Sequence, residues 1–207
     1  MIPHAMSANP RAAVAAARGR RHSALALLTA LLLPMAWAQQ PAPAAQASSF
    51  TQYDVEAVYL YNFAKFVRWP ASVQNQALDI CIAGRWEYTD TLTRTVAGEK
   101  IAGRPLAVRT VLKPEDEAGC DILFLGAADK AHFDNLLAAA AGKPVLTVSD
   151  VPSFLERGGM IQFQTIGNRV RFSVDLRPVA RSGLELSSEL LKVAVSVSGQ
   201  ATAGGTP

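Results

Sequence analysis

LDICIAG, residues 78–84, sets the architecture. Ile80, Cys81 and Ile82 give a short apolar run rich in β-branched side chains, and Gly84 closes it. Such a run suits a strand buried on both faces. The same kind of segment recurs as PLAVRTVL (105–112), CDILFL (120–125, closed by Gly126) and VLTV (145–148). Helical patterns lie between them, over about Trp86–Ala97 and Asp129–Ala141. The second of these puts Phe133, Leu136, Leu137 and Ala140 on one face, with Gly142 as the C′ residue and Pro144 just beyond. Gly98 and Gly103 bracket a turn. Apolar strands of four to eight residues alternating with helices predict a single three-layer α/β domain: a central, mainly parallel sheet flanked by helices.

The last third changes character. Asp150 is expected to cap a short helix through Phe154, Leu155 and Glu156, stopped by Gly158-Gly159. GMIQFQTIGNRVRFSVD (159–175) reads as a C-terminal antiparallel β-hairpin turning at Gly167-Asn168. With a two-residue loop, Thr165 faces Val170, Phe163 faces Phe172 and Ile161 faces Val174. Gln162 and Gln164 then meet Ser173 and Arg171 on the other side. One register satisfies both faces, and a one-residue slip would invert both. A final amphipathic helix is expected over about Ser187–Val195, with Leu190, Leu191 and Ala194 inward.

Upstream, QYDVEAVYLYNFAKFVRW (52–69) has two apolar stripes at helical spacing, ended by Pro70. Tyr53, Ala57, Leu60, Ala64 and Val67 form one; Tyr59, Phe63 and Phe66 form the other. A helix apolar over so wide an arc is either a core helix or one that offers a partner or dimer surface.

The chain starts with a basic stretch (Arg11, Arg18, Arg20, Arg21), an apolar run from Ala24 to Leu33, and small residues at Ala36 and Ala38. That is the layout of a secretory signal peptide over residues 1–38, cleaved after Ala38. The apolar run is far short of the ~20 residues that span a bilayer. Residues 39–49 (QQPAPAAQASS) read as a disordered linker and 198–207 as a disordered tail, leaving a folded domain at 50–197. Four of the 20 Lys and Arg residues and none of the 17 Asp and Glu residues lie before residue 38, so the remainder carries a net charge of −1. The basic pI of about 9.0 therefore belongs to the leader. It does not mark a nucleic-acid-binding surface.

Catalytic patterns are missing. The exported part holds one histidine, His132, one residue off the apolar stripe of its helix and read as a surface residue. No nucleophile elbow, dinucleotide fingerprint or phosphate loop is present. Two widely spaced cysteines and one histidine give no zinc pattern. The run Glu115-Asp116-Glu117 reads as a solvated loop. No catalytic residue, metal or cofactor is expected. Cys81 and Cys120 have two open readings: a disulfide between neighbouring strands, or two buried thiols. A bridge closing the 39-residue loop would contribute roughly 3 to 4 kcal/mol.

Eight stretches in order resemble the YfiR-like periplasmic proteins: AVYLYNFAKFVRWP (57–70), LDICIAG (78–84), GEKIAGRPLAVR (98–109), GCDILFLG (119–126), PVLTVSD (144–150), FLERGGMIQF (154–163), VRFSVDL (170–176) and GLELSSELLKVA (183–194). The resemblance implies a non-enzymatic periplasmic regulator. Its partners would be the periplasmic sensor domain of an inner-membrane diguanylate cyclase, which it inhibits, and an OmpA-like outer-membrane lipoprotein that relieves the inhibition; the output would be cyclic di-GMP level, and so biofilm behaviour. It also implies that Cys81 and Cys120 match a disulfide of the family's representative. A second cysteine pair found there has no counterpart here, since nothing after Cys120 is cysteine.

A binding protein needs exposed apolar anchors with a polar rim. Phe154, Arg157 and Met160 around the Gly-Gly turn, with Arg169 and Arg171 on the polar face of the hairpin, are the partner-binding candidates. An alternative is a small-molecule sensor. Parallel sheets hold ligands beyond the carboxyl ends of their strands, where Gly84, Gly126 and Asp150 would form the rim. The exported hydrolase reading would need His132 beside a serine and an aspartate. A homodimer through the first helix is also open.

Overall fold

The computed structural model describes residues 51–73, 76–83, 86–126 and 132–199. The expected signal peptide, the 39–49 linker, Gly84 and residues 200–207 lie outside them, as do residues 129–131 at the expected start of the second interstrand helix.

Helix α1 (Gln52–Phe66) opens with a capping box. The Asp54 N–H donates to Thr51 Oγ1 at 3.2 Å, and the Thr51 N–H donates to the Asp54 carboxylate at 2.7 Å. The Thr51 N–H and hydroxyl, both donating to it, hold the Asp54 carboxyl below its ordinary range. The helix ends at Phe66 rather than at Trp69. Val67 turns extended (φ −105°, ψ 139°) because Val67–Arg68 forms a strand, β1. There follow β2 (Leu78–Ala83), α2 (Trp86–Val96), β3 (Lys100–Ile101), β4 (Arg104–Val111) and a 3-10 turn at Pro114–Glu117. Next come β5 (Ile122–Leu125), α3 (Phe133–Ala140), β6 (Leu146–Ser149), β7 (Ile161–Ile166) and β8 (Arg169–Asp175). The chain closes with α4 (Leu176–Arg181), β9 (Glu185–Leu186), α5 (Ser188–Val193) and β10 (Ser196–Ser198).

The main sheet runs β10-β8-β7-β6-β5-β2-β4-β3, and β1 pairs separately with β9. Strands β4, β2, β5, β6 and β7 are parallel neighbours, while β3 and β8 run antiparallel at the two sides. The β7–β8 register is the one both faces require: Ile161↔Val174, Phe163↔Phe172 and Thr165↔Val170. Gly167 and Asn168 both have positive φ (55° and 59°), as a two-residue hairpin loop of this twist needs.

Period-two alternation splits the core. On one face Ile80, Ile82, Phe124, Val148, Phe163 and Phe172 pack with α1 and α2. On the other, Cys81, Ala83, Leu123 and Leu125 pack under α3, which supplies Phe133, Leu136, Leu137 and Ala140. Both stripes of α1 point mainly inward. Tyr59 and Phe63 meet Phe163 and Phe172 with ring centroids 5.1–5.8 Å apart, the core-helix arrangement.

The segment after β6 is a chain of turns, not the helix expected there. Ser153 sits at φ 59°, which breaks helical continuity. The Phe154 and Leu155 N–H groups instead donate to Gln162 Oε1, at 2.9 and 3.5 Å.

Candidate functional site

Cys81 and Cys120 are bonded, with Cα atoms 5.8 Å apart. The bridge ties β2 to the residue two before β5, in the core under α3. Beside it, Arg109 donates to the Ala118 carbonyl at 3.1 Å and reaches the Asp79 carboxylate at 3.1 Å. The Glu115–Glu117 run is not all solvated. Glu117 is 1 % exposed, and Lys143 Nζ lies 3.2 Å from both its carboxylate oxygens.

The residues flagged around the Gly-Gly turn divide. Phe154 is fully buried, edge-to-face with Phe133 at 5.8 Å, and a Cβ on Gly159 would fall 2.2 Å from its ring. Met160 is 2 % exposed. Neither can act as an exposed anchor, because both serve the core. Arg157 lies over the Phe133 ring at 4.1 Å and pairs with Asp134, so it clamps the turn onto α3. Arg169 is exposed and Arg171 half-buried. At the carboxyl ends of the strands, Gly126 is buried, its N–H donating to the Ala83 carbonyl at 3.0 Å, and Asp150 is half-buried. His132 is exposed at the N-cap position of α3.

A feature with no sequence forecast stands out at the other side. Leu176, Val179, Ala180, Leu184, Leu186 and Leu191 line an open groove of about 720 Å³, with Arg177, Glu185 and Gly199 at its rim. Its walls follow from local sequence. Asp175 is the N-cap of α4: its side chain accepts from the Arg177 N–H at 2.9 Å. Pro178 sits within the first turn, where no intrahelical N–H is lost. Gly183, at φ 72°, ends the helix and lets Leu184 turn inward. β9 then pairs with β1 (Val67↔Leu186, Arg68↔Glu185), and Ser187 caps α5 by accepting from the Leu190 N–H at 3.3 Å. The signal lay in GLELSSELL, whose leucines switch from period two to helical spacing at Ser187.

The Arg177 guanidinium hydrogen-bonded to Asp175 holds its buried carboxyl below the ordinary range. A carboxyl lowered on folding stabilises the native state above its unfolded value, and that stability disappears as pH falls through the folded value. Asp175→Asn keeps a cap acceptor but loses the Arg177 ion pair; it is expected to flatten the acid limb of stability below about pH 4 and to cost at most about 1 kcal/mol at pH 7. Urea midpoints of both proteins across pH 3 to 7 check this; parallel acid limbs would contradict it.

The disulfide-bonded α/β domain thus carries an open, leucine-lined groove. Among the described residues no helix is long and apolar enough to cross a membrane, and no group of three or more His, Cys, Asp or Glu side chains is placed to hold a metal. The chain belongs to the YfiR/HmsC-like family, which matches residues 53–195. Members of that family are periplasmic, regulatory rather than catalytic, and act with membrane partners in the control of diguanylate cyclases. A solved structure of a conserved domain protein from Vibrio cholerae O1 biovar eltor is similar, at 12% identity and a TM-score of 0.49, over 72% of this chain. The chain spans 61% of the length of that protein.

Proposed function

We propose that this chain is a non-enzymatic periplasmic inhibitor that binds the periplasmic sensor domain of an inner-membrane diguanylate cyclase and so lowers cyclic di-GMP. A segment of the partner seats apolar side chains in the groove between α4, β9 and α5. The groove is the observation that carries this reading. It leaves Leu176, Leu186 and Leu191 half-buried along an open cleft, with Ala180 exposed beside them, and apolar surface of that kind suits a partner's side chains. Arg177 and Glu185 at its edge give the polar rim that interfaces have. Export through the leader at 1–38 puts the folded unit, about 50–197, in the compartment where the Cys81–Cys120 bridge persists. An OmpA-like outer-membrane lipoprotein would relieve inhibition by competing for the inhibitor.

The small-molecule sensor is the second reading. It has less support, because the groove is open and shallow where ligand sites enclose most of their ligand.

Copurification tests the proposal. Tagged protein drawn from gently solubilised envelopes is expected to bring down an inner-membrane protein that has a periplasmic domain and a cytoplasmic cyclase domain. Recovery of well-folded protein alone would sink a stable complex.

A further inference from the structure

The tip of the β7–β8 hairpin reaches past its neighbours. β6 pairs with β7 only at Val148↔Ile161 and Ser149↔Gln162, so β7 continues for four residues beyond the end of β6. On the far side, β10 pairs only with Ser173–Asp175 of β8. Gln164–Arg171 therefore projects as a two-stranded tongue. The Ser149↔Gln162 pairing takes up the Phe163 N–H, and among the described residues β6 pairs with nothing beyond it, so the outward backbone groups of Thr165 are left on an open edge. An unpaired edge is a template for another strand.

One face of the tongue is covered and the other is open. Val170 and Phe172 face α1, where Tyr59 lies. Gln164, Ile166, Arg169 and Arg171 occupy the opposite face, in cross-strand pairs Gln164↔Arg171 and Ile166↔Arg169. The core under α3 takes no side chain from β7 or β8, and on this face Gln164 and Arg171 are half-buried while Ile166 and Arg169 are exposed. Ile166 is 49 % exposed. The arginines here also differ from others in the domain. Arg68, Arg104, Arg109, Arg157 and Arg177 each pair with a carboxylate. Arg169 and Arg171 have no such partner among the described residues. Gln164 spends its amide on Ser173 Oγ, at 2.9 Å.

A free strand edge on β7, one strand over from the unneutralised Arg169 and Arg171, whose positions are about 7 Å apart along one face of β8, selects a particular ligand. We propose that this tongue binds an extended acidic segment of a protein partner, which adds as a strand beside β7. Main-chain bonds to the edge would supply affinity, and alternate carboxylates would meet Arg169 and Arg171. This surface is separate from the groove and rests on the proposed function only in that a protein partner exists.

The test uses the full exported chain and a labelled twelve-residue peptide of alternating Glu and Val, with binding read by fluorescence anisotropy. Saturable binding is expected, weakened at least tenfold in R169E/R171E and less in R169Q/R171Q, with circular dichroism confirming that both fold. Raising salt should weaken it as well. N-methylation of alternate peptide nitrogens should abolish it, and Ala180→Glu in the groove should leave it unchanged. No binding by the wild-type chain, or equal binding by R169E/R171E, overturns the proposal. So does loss of binding in the groove variant, which would assign the peptide to the groove. Arginine-dependent binding of phosphatidylglycerol vesicles without peptide binding would also overturn it, in favour of a membrane surface. None of these readings depends on the cyclase, so inhibition and the tongue can fail separately.

Discussion

Replacing both bridging cysteines, Cys81→Ala with Cys120→Ala, is expected to remove about 4 kcal/mol of stability. The bridge closes a loop of 39 residues that contains α2, β3 and β4. Without it the unfolded chain regains the freedom of that loop, while the native state keeps β2 and β5 aligned through the ladder from Ile80↔Ile122 to Ala83↔Leu125. Domains have only about 5 to 15 kcal/mol in total, so the loss would be a large fraction. Urea unfolding of the oxidised, reduced and double-alanine proteins measures it. Reduced and double-alanine proteins should unfold together, well below the oxidised one. A loss under about 1 kcal/mol would mean that the strand ladder alone constrains this segment. The bridge lies under α3, whereas Val179 and Leu184 of the groove belong to the α1 side of the core, so any loss of partner binding should follow unfolding rather than precede it.

Asp121→Ala is expected to cost about 3 kcal/mol. The Asp121 side chain is fully buried and accepts from the Asp79 N–H and from Arg104, each at 2.8 Å. Truncation leaves an N–H without its acceptor and a guanidinium without its counter-charge. The cost stays at the low end for a broken buried pair, because Arg104 is 23% exposed and also donates to the Ala77 carbonyl at 2.6 Å. Asp121→Asn keeps an acceptor for the Asp79 N–H and should cost less. Replacing both charges with apolar groups, Arg104→Met with Asp121→Leu, should recover part of the loss, since no buried charge is then left alone. Urea midpoints and slopes of the four proteins test this. Equal stability of the single and double variants would show that the pair contributes through packing alone.

What could be read from sequence depended on whether an element carries its own period. The β7–β8 hairpin was legible to the residue pair because alternation on both strands and Gly167-Asn168 agree on one register. The parallel centre was legible because each strand is a short apolar run closed by a turn. Val67–Arg68 was not, since Val67 continues the spacing of Leu60 and Ala64, and only pairing with the distant Glu185–Leu186 pulls it out of the helix. The groove was hidden because, although the leucines of GLELSSELL show a strand-to-helix switch, α4 has only six residues and the pairing of β9 with the distant β1 that shapes the cleft leaves no local trace. Phe154 and Met160 looked exposed because Gly158-Gly159 announces a turn, yet the glycines are what let the chain fold tightly over Phe154. The Arg104–Asp121 pair spans 17 residues and leaves no local trace.

Cyclic di-GMP tests the central claim most directly. In cells lacking the endogenous copy, the wild-type chain is compared with two variants that change the groove at exposed or half-exposed positions, Ala180→Glu and Leu191→Ser. Each is matched for periplasmic level and thermal midpoint. The wild-type chain should lower cyclic di-GMP and the groove variants should fail to do so. Groove variants that lower it as fully as the wild type would contradict the assignment of the groove as the inhibitory surface.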